Sequence, residues 1–469
     1  MGTLDDRPLT QLRQTPAGLS HAPPPTPGPP HLPSAPSPLS SIDPASHPAV
    51  RSLYVHVPFC VHKCHYCDFY SIVDTQDRMD AFCDRLILEL RSLAPHTHAL
   101  PLHTIFVGGG TPSLLGPHRW TRLLGALADS FDLSLMGSPD RPADPFPPGE
   151  FTVECNPESA TPDLFHVLAA GRVNRVSLGA QSFQPDHLKT LERRHDPDNV
   201  PRALLAARHA RITRQSLDLI YAIPGQSIDH WLADLHHALA LNTSHISCYN
   251  LTYEPGTAMT HRLRAGQFTP IDEDTEIQMF LHTRRALRDA GLVPYELSNF
   301  AATDPLGNSL GAECRHNLAY WRQQQWLAAG PSASGHLFAS HDPLAGGWRW
   351  KNVPRLGDYL ADDPPPLHPW FSPVADAESP DPRRALRERI MTGLRLREGL
   401  DRLQLLRDAG RLSPPARHSS LPLDQRLLAR AKPYEDRGLL LRDADRWVLS
   451  EHALLRADGI AADLMRALP

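Results

Sequence analysis

The chain has 469 residues, 41% of them hydrophobic, and a net charge of −5. That length exceeds one compact core and sets two or three domains as the starting expectation. No dense Lys/Arg block occurs, which argues against a surface built to neutralise nucleic-acid phosphates, and no apolar run is long enough to span a bilayer.

Neither does the N-terminus show a basic-then-apolar leader, so a cytoplasmic protein is expected. Residues 1–50 hold 13 of the 48 prolines and few aromatic or β-branched residues. Such a segment cannot bury enough surface to fold, and a disordered Pro-rich tail is expected. A transit peptide fits less well, because Asp5 and Asp6 sit near its start.

From residue 51 short apolar strands alternate with amphipathic helices, the pattern of a parallel α/β sheet or barrel. Strands are expected near 52–57, 103–107, 150–155, 174–178, 216–221 and 245–250. Helices are expected near 77–94, 117–130, 162–170, 199–210, 228–241 and 272–290, giving six strand–helix units over 51–300. Residues 137–149, rich in proline, read as a surface insertion. Residues 301–382 read as an irregular connecting segment with short strands. From 383 an Arg/Leu-rich helical pattern leads to Arg446-Trp-Val-Leu-Ser450, a small helical, winged-helix-like C-terminal domain over 383–469.

Chemistry-bearing residues cluster at the carboxyl ends of the expected strands, which in parallel barrels form the binding face. Cys60, Cys64 and Cys67 follow the first strand in a CxxxCxxC spacing. Three thiolates from one loop can hold a cluster and leave one iron open, which suits an iron–sulfur centre. Zinc, with His56, His62, His65 or Cys83 as fourth ligand, is the rival, but the paired knuckles of structural zinc are absent. Gly108-Gly-Gly110-Thr111 after the second strand permits close backbone approach to a ligand, or simply a tight turn. Glu154 closes the third strand and is either a ligand-facing carboxylate or half of a salt bridge. Asp218, between Leu217 and Leu219, needs a partner, since an unpaired buried carboxylate costs several kcal/mol. His316, Asn317, Tyr320 and Trp321 lie outside the strand–helix repeat. Imidazole can ligate haem iron, yet a histidine beside Tyr and Trp is more often simply packed and hydrogen-bonded.

Taken together, Tyr54-Val-His-Val-Pro-Phe-Cys60 through Cys67-Asp68-Phe69, Gly108 to Ser113, Glu154-Cys-Asn-Pro157, Ser177 to Phe183 and Leu217 to Tyr221 resemble the oxygen-independent coproporphyrinogen III oxidase superfamily of radical-SAM proteins. The true oxidases carry a fourth cysteine two positions after the third; this chain has Phe69 there. With His316-Asn-Leu-Ala-Tyr-Trp321 matching an HNxxYW signature, the chain resembles the haem-chaperone (HemW) branch instead.

The resemblance implies an incomplete (β/α)6 barrel with a small C-terminal domain. It implies a four-iron cluster on Cys60, Cys64 and Cys67, with S-adenosylmethionine near Tyr54, Gly109 and Glu154. Tyr66, Gly110, Thr111, Gln181, Arg193 and Asp218 match positions around a second S-adenosylmethionine, and the motif over 316–321 is implied to contact haem. The expected activity is transfer of haem to apo-haem proteins such as respiratory cytochromes; the alternative is radical decarboxylation of coproporphyrinogen III. An electron donor is a further expected partner, and contact with a membrane through partners or a homodimer is compatible with the reading.

Overall fold

The computed structural model describes residues 42–137, 148–304, 306–361, 374–412 and 421–468. Most of the expected tail, up to residue 41, and the Pro-rich insertion over 138–147 lie outside the described residues. Residues 42–50 depart from the expected disorder. Asp43 caps a short turn at Pro44–Ser46, His47 and Val50 are fully buried, and the Val50 amide donates to the His96 carbonyl. His47 stacks on His96 with ring centres 5.3 Å apart and shares a 3.0 Å hydrogen bond with it. A few well-placed side chains thus supply burial that the tail's average composition lacks.

The main sheet is built from β1 (Ser52–Val57), β2 (Thr104–Gly109), β3 (Glu150–Cys155), β4 (Arg175–Gln181), β5 (Arg214–Tyr221) and β6 (His245–Asn250). All six pair in parallel and in chain order, with Tyr54 opposite Phe106 and Glu154 opposite Ser177. Their residues are buried along almost the whole of each strand, as in a parallel sheet covered on both faces. Helices Met79–Leu93, Gly116–Ser130, Pro162–Ala170, Asn199–His209, Ile228–Ala240 and Glu273–Asp289 alternate with the strands. Several begin where local chemistry dictates: Thr161, Ser227 and Asp272 cap the first-turn amides of Leu164, His230 and Thr275.

Three short strands extend this sheet beyond the expected six. β7 (Leu292–Pro294) and β8 (Asn299–Ala302) run antiparallel beyond β6, and β9 (Leu327–Ala329) lies parallel to β1, giving the order β7-β8-β6-β5-β4-β3-β2-β1-β9. The sheet does not close, since β7 and β9 are its edges. The six strand–helix units are those the sequence pattern predicts, and the open sheet is the incomplete barrel that the family resemblance implies, lengthened at both sides.

Residues 301–382 are more integrated than a connecting segment. Besides β9 they supply an antiparallel sheet of β10 (Ser334–Phe338), β11 (Gly347–Asn352) and β12 (Val374–Glu378). They are tied to the barrel by the buried Glu89, which accepts from the Tyr359 hydroxyl at 2.6 Å, the Gly330 amide at 2.9 Å and Asn352 Nδ2 at 3.1 Å. A separate apolar core, centred on Leu386, Ile390, Leu405, Leu427 and Trp447, holds the C-terminal helices. These are Pro382–Gly393, Arg402–Arg411, Leu423–Asp436 and Ala457–Met465. They pack on a small sheet of β13 (Leu400–Asp401), β14 (Leu440–Asp443) and β15 (Arg446–Leu449).

Candidate functional site

Cys60, Cys64 and Cys67 lie on the loop that leaves β1, each half-buried and none in a disulfide. The loop is docked on the end of β2: the Gly110 amide donates to the Val57 carbonyl and the Thr111 amide to the Phe59 carbonyl, both at 2.7 Å. Its return is fixed by Cys60 N to Ile72 O at 2.9 Å and Ile72 N to Pro58 O at 2.8 Å. Cys60 Sγ stands 3.5 Å from Thr111 Oγ1, while Arg193 donates to Cys64 Sγ at 3.8 Å and to the Gly179 carbonyl at 2.8 Å.

Burial pushes the Cys60 thiol up and the Cys67 thiol up to about 11. A bound metal reverses that penalty, because a coordinating thiol is deprotonated outright. Among the described residues no three His, Cys, Asp or Glu side chains converge closely enough to hold a single ion. Three thiols on one loop, with Arg193 beside them to offset thiolate charge, fit an iron–sulfur cluster with one open iron. Val61, Phe69 and Val73 expose apolar side chains around this loop, Phe69 at 64%.

The glycine run is explained chiefly by close packing. A Cβ on Gly108 would stand 2.6 Å from Glu154 Oε2. On Gly109, whose φ is +110°, it would stand 2.5 Å from the His56 ring, and on Gly110 it would press 2.7–2.9 Å against the Val57–Phe59 backbone. The Gly109 amide donates to Glu154 Oε2 at 3.1 Å. Burial, reinforced by Asp218, pushes Glu154 up to about 7, and burial also raises Asp218 although it accepts from Ser177 Oγ at 2.9 Å. Two buried carboxylates raised in this way favour a cationic ligand between them, and the sulfonium and amine of S-adenosylmethionine have that charge.

Tyr54 lies within β1, three residues before its carboxyl end. Its hydroxyl meets His56 Nδ1 at 3.0 Å, and His56 Nε2 donates to the Tyr70 carbonyl at 2.8 Å. Burial, and then Glu154, raises the Tyr54 hydroxyl above its ordinary pKa. Gln181 ends β4 at φ +62°, across a bulge that follows Gly179. A non-glycine residue held there costs on the order of 1–3 kcal/mol, the kind of strain found where a side chain is aimed at a ligand. Tyr66 packs against Leu191, Ile220 and Met259 beneath the cysteine loop, so the structure brings Tyr54, Tyr66, Gly109, Gly110, Thr111, Glu154, Gln181, Arg193 and Asp218 to one rim.

His316, Asn317, Tyr320 and Trp321 lie beneath that rim, with His316 against Tyr54. They form the helix Arg315–Trp321, which plugs the barrel interior. His316 is 1% exposed, with Nδ1 2.8 Å from Thr104 Oγ1 and Nε2 2.8 Å from the Tyr320 hydroxyl. Its ring stacks on Phe106 at 5.4 Å and Tyr54 at 6.4 Å. Asn317 Nδ2 reaches the Tyr295 hydroxyl at 3.5 Å, and Trp321 faces Arg395 and a cavity beside the C-terminal domain. Both His316 nitrogens are thus committed within the protein, the packed reading that residue chemistry alone favours.

Sequence reasoning missed the anchor of this plug. Glu150, fully buried, pairs with Arg214 at 2.8 Å and accepts from the amides of Arg315 and His316 at 3.0 and 3.2 Å. Burial alone would raise its carboxyl, but Arg214, Arg175 and the two amides hold it down to about 2. The available signal was positional: Glu150, Arg175 and Arg214 each open a strand otherwise made of buried residues.

Comparison with known proteins follows the same outline. The family model described as the Radical SAM superfamily matches residues 54–238. The haem chaperone HemW of Mycobacterium tuberculosis is 34% identical over 88% of this chain and 94% of its own length. HemW of Bacillus subtilis is 30% identical over 77% of this chain and 88% of its own. Among solved structures, the Escherichia coli coproporphyrinogen III oxidase HemN, described as a radical SAM enzyme, superposes with a TM-score of 0.69 over 91% of both chains at 21% identity, a likeness of fold.

Proposed function

Because the chain belongs to the HemW family within the radical-SAM superfamily, we propose that it binds haem and delivers it to apo-haem proteins, respiratory cytochromes being the expected recipients. The observation that carries this reading is Phe69: the position that bears a further cysteine in the oxidases presents an exposed apolar ring beside the cysteine loop. Radical decarboxylation of coproporphyrinogen III has no observation of its own in this chain, since the likeness to the oxidase extends to the fold.

Cys60, Cys64 and Cys67 would hold a four-iron cluster, and Tyr54, Gly109, Glu154 and Asp218 would line S-adenosylmethionine. When bound, that pair supplies one-electron chemistry. The protein's own contribution is to dock the cysteine loop through Gly110 and Thr111, to present buried carboxylates to a cation, and to keep Arg193 against Cys64. Tyr66, Gln181 and the rest of Arg193 would shape the far side of the pocket. The apolar surround of Val61, Phe69 and Val73 gives an electron donor a face to approach.

Titrating ferric haem into the purified full-length protein tests the reading. Saturable binding near one haem per chain is expected, with no protoporphyrinogen formed when coproporphyrinogen III, reductant and S-adenosylmethionine are supplied anaerobically. Absence of saturable haem binding, or product with matching 5′-deoxyadenosine, would overturn it.

A further inference from the structure

A buried cation stands against the cysteine loop, and among the described residues it pairs with no carboxylate. Arg193 follows the helix Pro185–Thr190 and is turned back toward the barrel at Glu192, whose φ is +57°. Its amide donates to the Leu188 carbonyl at 2.8 Å, and Nη2 donates to the Gly179 carbonyl, near the end of β4, at 2.8 Å. Nη1 reaches Cys64 Sγ at 3.8 Å, while Nε is buried without a hydrogen-bond partner. Gly179 makes room for this arrangement: a Cβ there would stand 3.4 Å from Nη2 and 2.7 Å from Gln181 Nε2.

A buried charge is retained at reasonable cost when an anion balances it. The nearby carboxylates are occupied elsewhere. Glu192 lies 3.8 Å from His62, and Asp218 accepts from Ser177 Oγ at 2.9 Å. Burial works against the guanidinium, yet Tyr66 and the thiols of Cys64 and Cys60 outweigh it and hold Arg193 above its ordinary pKa. Burial also raises the Tyr66 hydroxyl, so it stays protonated at pH 7 and is no anion. Arginine does not deprotonate in proteins, which leaves the cysteine sulfurs, as thiolates, to balance it.

Lys63, the loop's own lysine, is placed differently. It is exposed and donates to the Phe69 carbonyl at 3.4 Å. Water and salt screen its charge, whereas a charge buried beside the sulfurs acts through a lower dielectric.

We propose that Arg193 is the counter-ion of the iron–sulfur cluster and raises its reduction potential, because the buried guanidinium beside Cys64 stabilises the more negative, reduced form over the oxidised one. The inference rests on the cluster reading above and gives Arg193 a role separate from contact with S-adenosylmethionine. Reduction adds one electron from the donor; no bond to Arg193 forms or breaks, and its protons stay in place. Potentials of such clusters follow net charge, hydrogen bonds to the sulfurs and solvent exposure, and Arg193 supplies the first two.

The test uses full-length protein reconstituted anaerobically with iron and sulfide. The wild type, Arg193→Gln, Arg193→Lys and Lys63→Gln are poised at successive potentials without S-adenosylmethionine, and the reduced cluster is read by electron paramagnetic resonance. Iron and sulfide content shows which variants hold a cluster. In Arg193→Gln the equilibrium constant for reduction is expected to fall about tenfold, a shift of about 59 mV to more negative potential for one electron. Arg193→Lys keeps the charge and is expected to fall between Arg193→Gln and the wild type; its lowered potential carries the result should Arg193→Gln lose its cluster. Lys63→Gln is expected to match the wild type. A wild-type potential in every Arg193 variant that holds a cluster, or a difference that arises once S-adenosylmethionine is added and not before, would overturn the inference and leave the cluster reading in place. A wild type that assembles no cluster would overturn both.

Discussion

Replacing Glu150 with alanine is expected to destabilise the chain by about 3–5 kcal/mol, the usual cost of leaving a buried charge without its partner. Glu150 is fully buried and Arg214 is 2% exposed, so water cannot rescue the guanidinium. The same carboxylate is the acceptor for the Arg315 and His316 amides and lies 3.4 Å from Cys314 Sγ. Its loss therefore also frees the helix that plugs the barrel. Urea titration of wild type, Glu150→Ala and Glu150→Gln measures the effect, and Gln, which keeps one acceptor oxygen, is expected to fall between the other two.

The acid dependence follows from the same carboxylate. Its pKa is held down from 4.5 to about 2. Its contribution is therefore complete above about pH 4.5 and is lost as pH falls from there through about 2. The gap between wild type and Glu150→Ala should narrow over that window. A gap that stays constant from pH 7 to pH 3 would show that the ion pair is not the source.

Gly110→Ala is expected to abolish stable cluster assembly while leaving the barrel folded. Its Cβ would lie 2.7–2.9 Å from backbone atoms of Val57, Pro58 and Phe59, all closer than real contacts permit. Backbone cannot swing aside as a flexible side chain can, so the Cys60 loop must move off β2. The two 2.7 Å hydrogen bonds that dock it would be lost together. Iron and sulfide content after anaerobic reconstitution, compared with Cys64→Ala as the cluster-deficient reference, provides the measurement. A Gly110→Ala protein that reconstitutes like wild type would show that the docking geometry is not needed.

The parts of the fold readable in sequence are those written in local patterns. β1, β3 and β6 fall at the expected residues because apolar runs there are bounded by polar or glycine-containing loops, and caps such as Thr161 mark the helix starts. β9 was not readable: Leu327-Ala-Ala329 has no alternation, and its pairing partner, β1, lies near the other end of the chain. The cysteine loop, Gly108 to Thr111, Glu154, Gln181 and Asp218 were legible from their place in or just after a strand, whereas Tyr54, Tyr66 and Arg193 entered only through the family resemblance. What the sequence could not reveal is hydrogen-bond occupancy. His316 sits beside Tyr320 and Trp321 in the sequence, yet only the structure shows that both its ring nitrogens are engaged, by Thr104 and Tyr320. The Thr104 contact comes from a residue distant in sequence, which no local pattern shows.

The central claim is that this chain carries haem to other proteins, and direct transfer tests it most closely. Full-length protein loaded with one equivalent of haem is mixed with an apo-cytochrome, and the recipient's holo spectrum is followed against time. The account predicts transfer whose rate rises with recipient concentration and outpaces spontaneous haem loss to a passive scavenger. Haem that leaves only at the scavenger rate, whatever recipient is present, would contradict it.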